Sequence, residues 1–266
     1  MPDRIKVLFL GDLMGHPGRR ALHKFLPQLV KKHMPEVVVA NGENAAGGIG
    51  ITEEIGKELF LHVDVLTSGN HIWDKKEVFP YLEKEPRLIR PANYPRQNPG
   101  KGSYIYQDGQ GLKIAVLNLQ GRVFMEPLDC PFRRADEEVE VLRAETPNII
   151  VDFHAEATSE KQALGWYLDG RVSAVVGTHT HVPTADEKVL PGGTAYITDV
   201  GMTGPYGGII GFKPQTVLER FLLGTPRAFE PATTGGILSG AVIDVDEATG
   251  RARSIRRLHV EEDRTA

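Results

Sequence analysis

The histidines His179 and His181 are the residues of this sequence best suited to binding a metal ion. They follow the apolar run 173–176 and Gly177, and an extended backbone would carry both imidazoles on one side. Histidines in alternate positions beside a glycine seldom serve only to pack a core. We interpret the pair as metal ligands.

Side chains that can bind metals also follow four other short apolar runs. They are Asp12, Glu43 with Asn44, Asn70 with His71, and His154. Taken singly, Asp12 could instead cap a helix, and Asn70 after Gly69 suits a turn. In an α/β sheet, however, ligands bind where the carboxyl ends of the strands meet. We therefore expect all these side chains to converge.

The donors are imidazole nitrogens, carboxylates and amide oxygens. Such a mixture suits Fe or Mn, with Zn and Co as alternatives, better than Ca, which favours oxygen alone. Cys130 is the only cysteine, so a thiolate site is excluded. The candidates outnumber the ligands of one tetrahedral ion, and a carboxylate shared by two ions would account for the surplus. The sequence predicts two ions per chain, divalent or of mixed valence.

Short β-branched runs predict the strands that position these residues. The runs are 5–10, 37–40, 63–68, 114–117, 149–153, 173–176 and 194–198. Helical patterns lie near 22–30, 52–62, 75–84, 133–143, 160–168 and 214–223. Pro27 predicts a kink or a short first helix, and Asp74 with Glu77 predicts a capping box for the third.

The alternation of strands and helices predicts an α/β protein with a largely parallel early sheet. Two predicted hairpins, 104–107 with 112–117 and 240–245 with 254–260, add antiparallel strands and indicate a mixed sheet or two packed sheets. No linker, repeat or low-complexity segment interrupts the chain. We expect one catalytic domain over residues 1–266.

The composition argues against some classes of binding partner. With 31 basic and 35 acidic residues, the net charge of -4 argues against long nucleic acid or an anionic membrane surface as partner. No apolar run reaches the roughly 18 residues that span a bilayer. The lone cysteine fits a reducing compartment, and we expect a cytoplasmic protein. A homo-oligomer is compatible with the sequence.

The motifs resemble, in order and context, those of the calcineurin-like metallophosphoesterases. They are Gly11-Asp12, Asn41-Gly42-Glu43-Asn44, Gly69-Asn70-His71, the lone His154 and Gly177-Thr178-His179-Thr180-His181. The resemblance spans about 200 residues, from 5 to 205. It implies two packed mixed β-sheets flanked by helices, a four-layer α/β/β/α sandwich.

Two departures, together with the segments 18–19, 118–125 and 198–202, make the chain resemble the YmdB-like subfamily. Met14 stands where the larger family has its first histidine, and Glu43 with Asn44 stands where it has a bridging aspartate. Members of this subfamily are described as phosphodiesterases acting on cyclic nucleotides, notably 2',3'-cyclic ones. Asp152 with His154 looks like the missing Asp-x-His motif, but its place in the chain gives His154 the lone-histidine role and Asp152 a supporting one.

The resemblance also implies the role of each residue. Glu43 would bridge the ions, with Asp12, Asn44 and His181 on one and Asn70, His154 and His179 on the other. Two such ions, about 3.5 to 4 Å apart, would clamp the phosphate and generate hydroxide from a bridging water. Apart from the resemblance, His71 lies beside a proposed ligand without being needed as one, and it would protonate the leaving group. Arg122 and Tyr206 are candidate substrate contacts, Arg122 for phosphate charge and Tyr206 for stacking on a base, although an ordinary surface arginine explains Arg122 as well.

The leading hypothesis is a binuclear phosphodiesterase for small phosphodiesters, with 2',3'-cyclic nucleotides favoured. A phosphomonoesterase or 5'-nucleotidase would use the same metal core. A different alternative is a signalling module that binds metal and nucleotide or phosphate with little turnover. His71 argues against that module, because a binding protein needs no general acid.

Overall fold

The computed structural model describes residues 4–226 and 228–262. Its strands are β1 (Arg4–Leu10), β2 (Asp12–Leu13), β3 (Val37–Asn41), β4 (Val65–Thr67), β5 (Ser103–Gln107), β6 (Lys113–Gln120), β7 (Ile149–His154), β8 (Ala174–Thr178), β9 (Lys188–Val189), β10 (Ala195–Ile197), β11 (Met202–Thr203), β12 (Ile237–Asp246) and β13 (Ala252–Glu261). Its helices are α1 (Gly15–His33), α2 (Glu53–Leu59), α3 (Val78–Lys84), α4 (Pro131–Arg143), α5 (Thr158–Tyr167) and α6 (Pro214–Leu223), with a 3-10 helix at Asn70–Trp73.

Two mixed sheets form the centre of the molecule. The first has the order β13-β12-β1-β3-β4, with β1, β3 and β4 parallel and β12 antiparallel to β1. The second has the order β5-β6-β7-β8-β10-β9, with β6, β7, β8 and β10 parallel. Both predicted hairpins, β5 with β6 and β12 with β13, are confirmed.

Side chains alternate between the two faces of each sheet, as the strand repeat requires. Val7 and Phe9 of β1 lie in the apolar layer between the sheets, which Val176 enters from the other side. Leu8 and Leu10 instead pack beneath α1, α2 and α3. The outer face of the second sheet packs against α4 and α5. The predicted four-layer α/β/β/α sandwich is therefore confirmed.

Pro27 does not shorten the first helix, and the capping box predicted for the third helix is wrong. Helix α1 continues past Pro27 to His33, because burial of Leu22, Phe25 and Leu26 outweighs the lost backbone bond. Each such burial is worth about 1.5–3 kcal/mol, against about 3 kcal/mol for one proline. Helix α3 begins only at Val78 and has no side-chain cap, since the Asp74 carboxylate binds His71.

The parallel strands of both sheets end at one edge of the sandwich, where the predicted ligands lie.

In the described part of the chain, no helix is long and apolar enough to cross a membrane.

Candidate metal centre

Strand ends from both sheets bring the candidate ligands together. Asp12 opens β2 directly after β1, and Glu43 and Asn44 follow β3. From the second sheet, His154 ends β7, and His179 follows β8. Asn70 begins the 3-10 helix after β4, and His181 lies two residues beyond His179. Every one of these positions is a strand end or the loop that leaves it.

The centre of the cluster is Nε2 of His154. It lies 3.0 Å from Oε1 of Glu43, 3.0 Å from Nδ1 of His179 and 3.2 Å from Oδ1 of Asn70. Glu43, His154 and His179 can each offer one ligand atom, all within 4.8 Å of one another. A carboxylate, two imidazoles and an amide oxygen therefore surround one point, which is a donor set for a first-row transition metal.

A second group of donors lies beside the first. Oδ1 of Asn44 is 3.3 Å from Nε2 of His181, and the amide nitrogen of Asn44 donates to the Gly48 carbonyl, which fixes the direction of that oxygen. Asp12 is fully buried, and its Oδ1 has no hydrogen-bond partner within the described chain. A buried carboxylate oxygen without a partner is costly. A bound cation would satisfy it, so the residues fit a metal here.

In each histidine, the ring nitrogen that is not directed at the proposed metal position has a partner of its own. Nδ1 of His154 lies 2.9 Å from the Thr178 hydroxyl, which donates to Oδ1 of Asp152 at 2.7 Å. Nδ1 of His181 lies 2.8 Å from the Ile210 carbonyl, and Nε2 of His179 lies 3.1 Å from Oε2 of Glu156. Such partners fix the tautomer and direct the free nitrogen at the metal position. Asp152 lies behind the cluster, outside the ring of donors.

The charges of the site favour a cation. Burial would raise the pKa of Glu43, but the neighbouring histidines, His154 above all, lower it to about 2. Burial opposes the charge on His154, yet Glu43 and Asp12 raise its pKa to about 9. Burial raises the pKa of Asp12, and burial together with the charge on His154 lowers that of His179 to about 3. The carboxylates hold positive charge at the same point where the nitrogen and oxygen donors meet.

Backbone conformation lets the donors approach this closely. A Cβ on Gly69 would lie 2.2 Å from Cδ2 of His154 and 2.4 Å from Oε2 of Glu43, so only glycine fits there. His179 and His181 have φ values of 101° and 65°, in the left-handed region that side chains seldom occupy. Strained backbone conformations of this kind are common at functional sites, where the surrounding structure fixes them.

A cleft of about 340 Å³ opens onto the cluster, and its lining includes Glu43, His71, Glu156 and His181. His71 lies at the rim: its side chain is 35% exposed, and Nδ1 lies 2.6 Å from Oδ2 of Asp74. Its backbone N–H donates to Oε2 of Glu43. The imidazole is thus beside the metal donors without being among them.

The two candidate substrate contacts lie elsewhere. Arg122 is exposed, its guanidinium is 3.5 Å from Sγ of Cys130, and its backbone N–H donates to Glu160. Tyr206 packs against Gly235 and the apolar cluster around Phe212. Neither residue is among those that line the cleft.

Sequence reasoning missed the residues that support the ligands. Glu156 follows His154 by two positions, and this strand-end spacing was the only signal for it. Ile210 orients His181 through its backbone carbonyl. The sequence holds no signal for this contact, because every residue has a backbone carbonyl.

Comparisons with known proteins agree with this geometry. A family model described as YmdB-like protein matches residues 8–258. The chain is 52% identical over 260 residues to a 2',3'-cyclic-nucleotide 2'-phosphodiesterase of Bacillus subtilis, covering 97% of this chain and 98% of that protein. It is 38% identical over 270 residues to a putative phosphatase/phosphodiesterase of Mycoplasma genitalium, covering 97% and 94%.

Two solved structures share the fold. A hypothetical protein of Thermus thermophilus superimposes with a TM-score of 0.90 at 45% identity, covering 97% of this chain and 100% of that one. A phosphatase of Mycoplasma pneumoniae superimposes with a TM-score of 0.93 at 36% identity, covering 99% and 95%.

Proposed function

This chain belongs to the family of YmdB-like proteins, and from that premise we propose that it is a metal-dependent phosphodiesterase acting on 2',3'-cyclic nucleotides. The name of the Bacillus relative supports this substrate class and specifies the 2' ester bond. The observation that carries the proposal is the meeting of Glu43, His154 and His179 at one point, next to Oδ1 of Asp12, which has no hydrogen bond within the described chain.

The site would hold two metal ions, with Fe or Mn as the favoured elements. Oε1 of Glu43 lies 3.0 Å from Nε2 of His154, and Oε2 accepts from the His71 N–H, which fixes the orientation of this buried carboxylate within the cluster. The proposed ligands are Asp12, Asn44 and His181 for one ion, and Asn70, His154 and His179 for the other, with Glu43 shared.

Divalent cations in such a centre neutralise phosphate charge and make water more acidic. The chain's own residues retain the cations and fix the orientation of the donors. The buried Asp12 and Glu43 carboxylates supply the negative charge that retains the cations, and the held imidazoles leave no freedom for the donors to turn away.

His71 is the proposed proton donor. Because Asp74 accepts from Nδ1–H, Nε2 is the nitrogen left for the substrate. Opening a 2',3'-cyclic phosphate expels a ribose alkoxide, a poor leaving group that must receive a proton. General acid catalysis of this kind contributes about a hundred- to ten-thousandfold to the rate.

The test compares 2',3'-cyclic AMP, 3',5'-cyclic AMP and 5'-AMP as substrates of metal-loaded and chelator-treated protein. We expect hydrolysis of 2',3'-cyclic AMP to 3'-AMP, abolished by chelation and restored by Mn²⁺ or Fe²⁺. Preferential release of phosphate from 5'-AMP would indicate a monoesterase. Binding of 2',3'-cyclic AMP without turnover, in protein that elemental analysis shows to be metal-loaded, would indicate the signalling module.

A further inference from the structure

A buried ion pair lies directly behind the loop that carries His179 and His181. Nζ of Lys161, on α5, is 2.6 Å from Oδ2 of Asp199, and each side chain is only 1% exposed. Two charges removed from water are costly even when paired, and the pair is stabilising only if further hydrogen bonds satisfy them. The groups that form those further hydrogen bonds therefore show which part of the chain the pair holds in place.

Both charged groups bind the backbone of the loop. Nζ of Lys161 donates to the Thr178 carbonyl at 2.6 Å, and Oδ2 of Asp199 accepts from the Thr180 N–H at 3.1 Å. The ion pair thus holds the peptide groups on either side of His179. Oδ1 of Asp199 also accepts from the Gly201 N–H at 2.8 Å, which fixes the orientation of the carboxylate.

The loop needs such support because its backbone is strained. His179 and His181 both have positive φ, and neither is a glycine. Strained residues persist only where their surroundings fix them from several sides. Asp12 provides one further contact, since its Oδ2 accepts from the His179 N–H at 3.1 Å. Asp12 is itself a proposed ligand, whereas Lys161 and Asp199 hold the loop from outside the donor set. Backbone N–H groups also contribute: that of Ala155 contacts the Thr178 carbonyl at 3.4 Å, and that of Met202 contacts the His181 carbonyl at 3.2 Å.

We propose that Lys161 and Asp199 are positioning residues of the metal centre, which fix the backbone of residues 178–180 so that His179 and His181 present their nitrogens to the cations. The inference rests on the proposed function, because it assigns the pair a role in metal affinity. Neither side chain touches substrate or metal.

The test is calorimetric titration of metal-stripped protein with Mn²⁺. Lys161→Met removes the cation and keeps the aliphatic stem, so the two contacts to Asp199 and Thr178 are lost. We expect the Kd for Mn²⁺ to rise by about 10- to 100-fold, the usual effect of removing a partner that orients a ligand. Thermal unfolding of the metal-free variants is measured in parallel.

Arg134→Met is the matched control. The Arg134 side chain on α4 is also buried, at 9% exposure, and its partners Glu137 and Asp129 lie outside the donor set. This variant should lower the melting temperature of the metal-free protein and leave the Kd for Mn²⁺ unchanged. A general loss of stability is thereby separated from a loss of positioning.

Asp199→Asn covers the case in which Lys161→Met does not fold. It preserves shape and an oxygen acceptor for Thr180, and we expect the Kd to rise by about tenfold. Wild-type affinity in either folded variant, or an equal loss in Arg134→Met, would overturn the inference while leaving the proposed function intact. Failure of the wild-type protein itself to bind Mn²⁺ or Fe²⁺ would overturn both.

Discussion

The metal cluster and the rim of the cleft differ in how firmly the fold holds them. Asp12 and His154 are fully buried and Glu43 is 1% exposed, whereas the side chains of His71 and Asp74 are 35% and 46% exposed. The cluster residues come from strand ends of two sheets. The rim residues belong to a short 3-10 helix and its end.

This difference separates two tasks. The cluster is preorganised, so that cations meet donors already in place, and the cost of burying its charges is met by the surrounding fold. The rim must admit a substrate and therefore faces solvent. Substitutions in the cluster should remove metal and activity together, whereas substitutions at the rim should slow the reaction and leave the metal content unchanged.

Glu43→Gln should have the largest effect. The substitution keeps the shape of the side chain but removes the negative charge that would lie between two cations. We expect loss of at least one metal per chain by elemental analysis, and a fall in 2',3'-cyclic AMP hydrolysis of at least about a hundredfold, since metal-ion stabilisation is worth several kcal/mol.

Glu145→Gln is the control for this change, because Glu145 is an exposed partner of Lys113. It should retain metal and activity. Full metal content in Glu43→Gln would show that this residue is not the bridge.

Gly69→Ala tests the cluster without touching a donor. The added methyl would lie 2.3 Å from Nε2 of His154, so the ring and the Glu43 carboxylate must move apart. We expect metal loss and at least about a hundredfold loss of activity, since misplacement by about 1 Å can cost that much. Gly109→Ala is the matched control, because a Cβ there meets nothing within 4 Å. Normal metal content in Gly69→Ala would contradict a closely packed centre.

His71→Ala should act at the rim. We expect both metals to remain, and hydrolysis of 2',3'-cyclic AMP to fall by about a hundred- to ten-thousandfold. Bis(p-nitrophenyl) phosphate, whose nitrophenolate leaves without a proton, should be hydrolysed at close to the wild-type rate. An equal loss on the two substrates would rule out His71 as the proton donor.

Glu156→Gln should have the smallest effect. Its carboxylate orients His179 but is 49% exposed, and exposed ion pairs contribute little. We expect the Kd for Mn²⁺ to rise by about tenfold or less, at the low end of the range for partners of metal ligands. A loss as large as that of Glu43→Gln would mean that Glu156 binds metal directly.

The same contrast explains what the sequence could predict. Donors such as Glu43 and His179 follow apolar strands in short motifs, and strands that run parallel bring such ends to one edge. Local strand and helix patterns predicted an α/β protein with a mixed sheet or two packed sheets, and the family resemblance added the four-layer sandwich. The meeting of these side chains at one edge could thus be predicted without any knowledge of contacts, and their roles as metal ligands stay a prediction.

Contacts between particular side chains could not be predicted, whether their residues are near or far apart in the sequence. Lys161 lies in the helical pattern 160–168, and nothing near it in sequence indicates Asp199, 38 positions away. Asp74 has the spacing of a capping residue, but its carboxylate binds His71, since the chain between them folds as a 3-10 helix. The charge of Arg122 is the only feature that favours it as a phosphate contact, and its guanidinium lies near Cys130.

The central claim is that a metal centre built by Asp12, Glu43, His154 and their partners hydrolyses a cyclic phosphodiester. The most direct measurement is the rate of 2',3'-cyclic AMP hydrolysis as a function of bound metal per chain, from chelated protein through stepwise addition of Mn²⁺. The account predicts no hydrolysis without metal and full activity only near two ions per chain. Hydrolysis that persists in metal-free protein, or none at full occupancy, would contradict it.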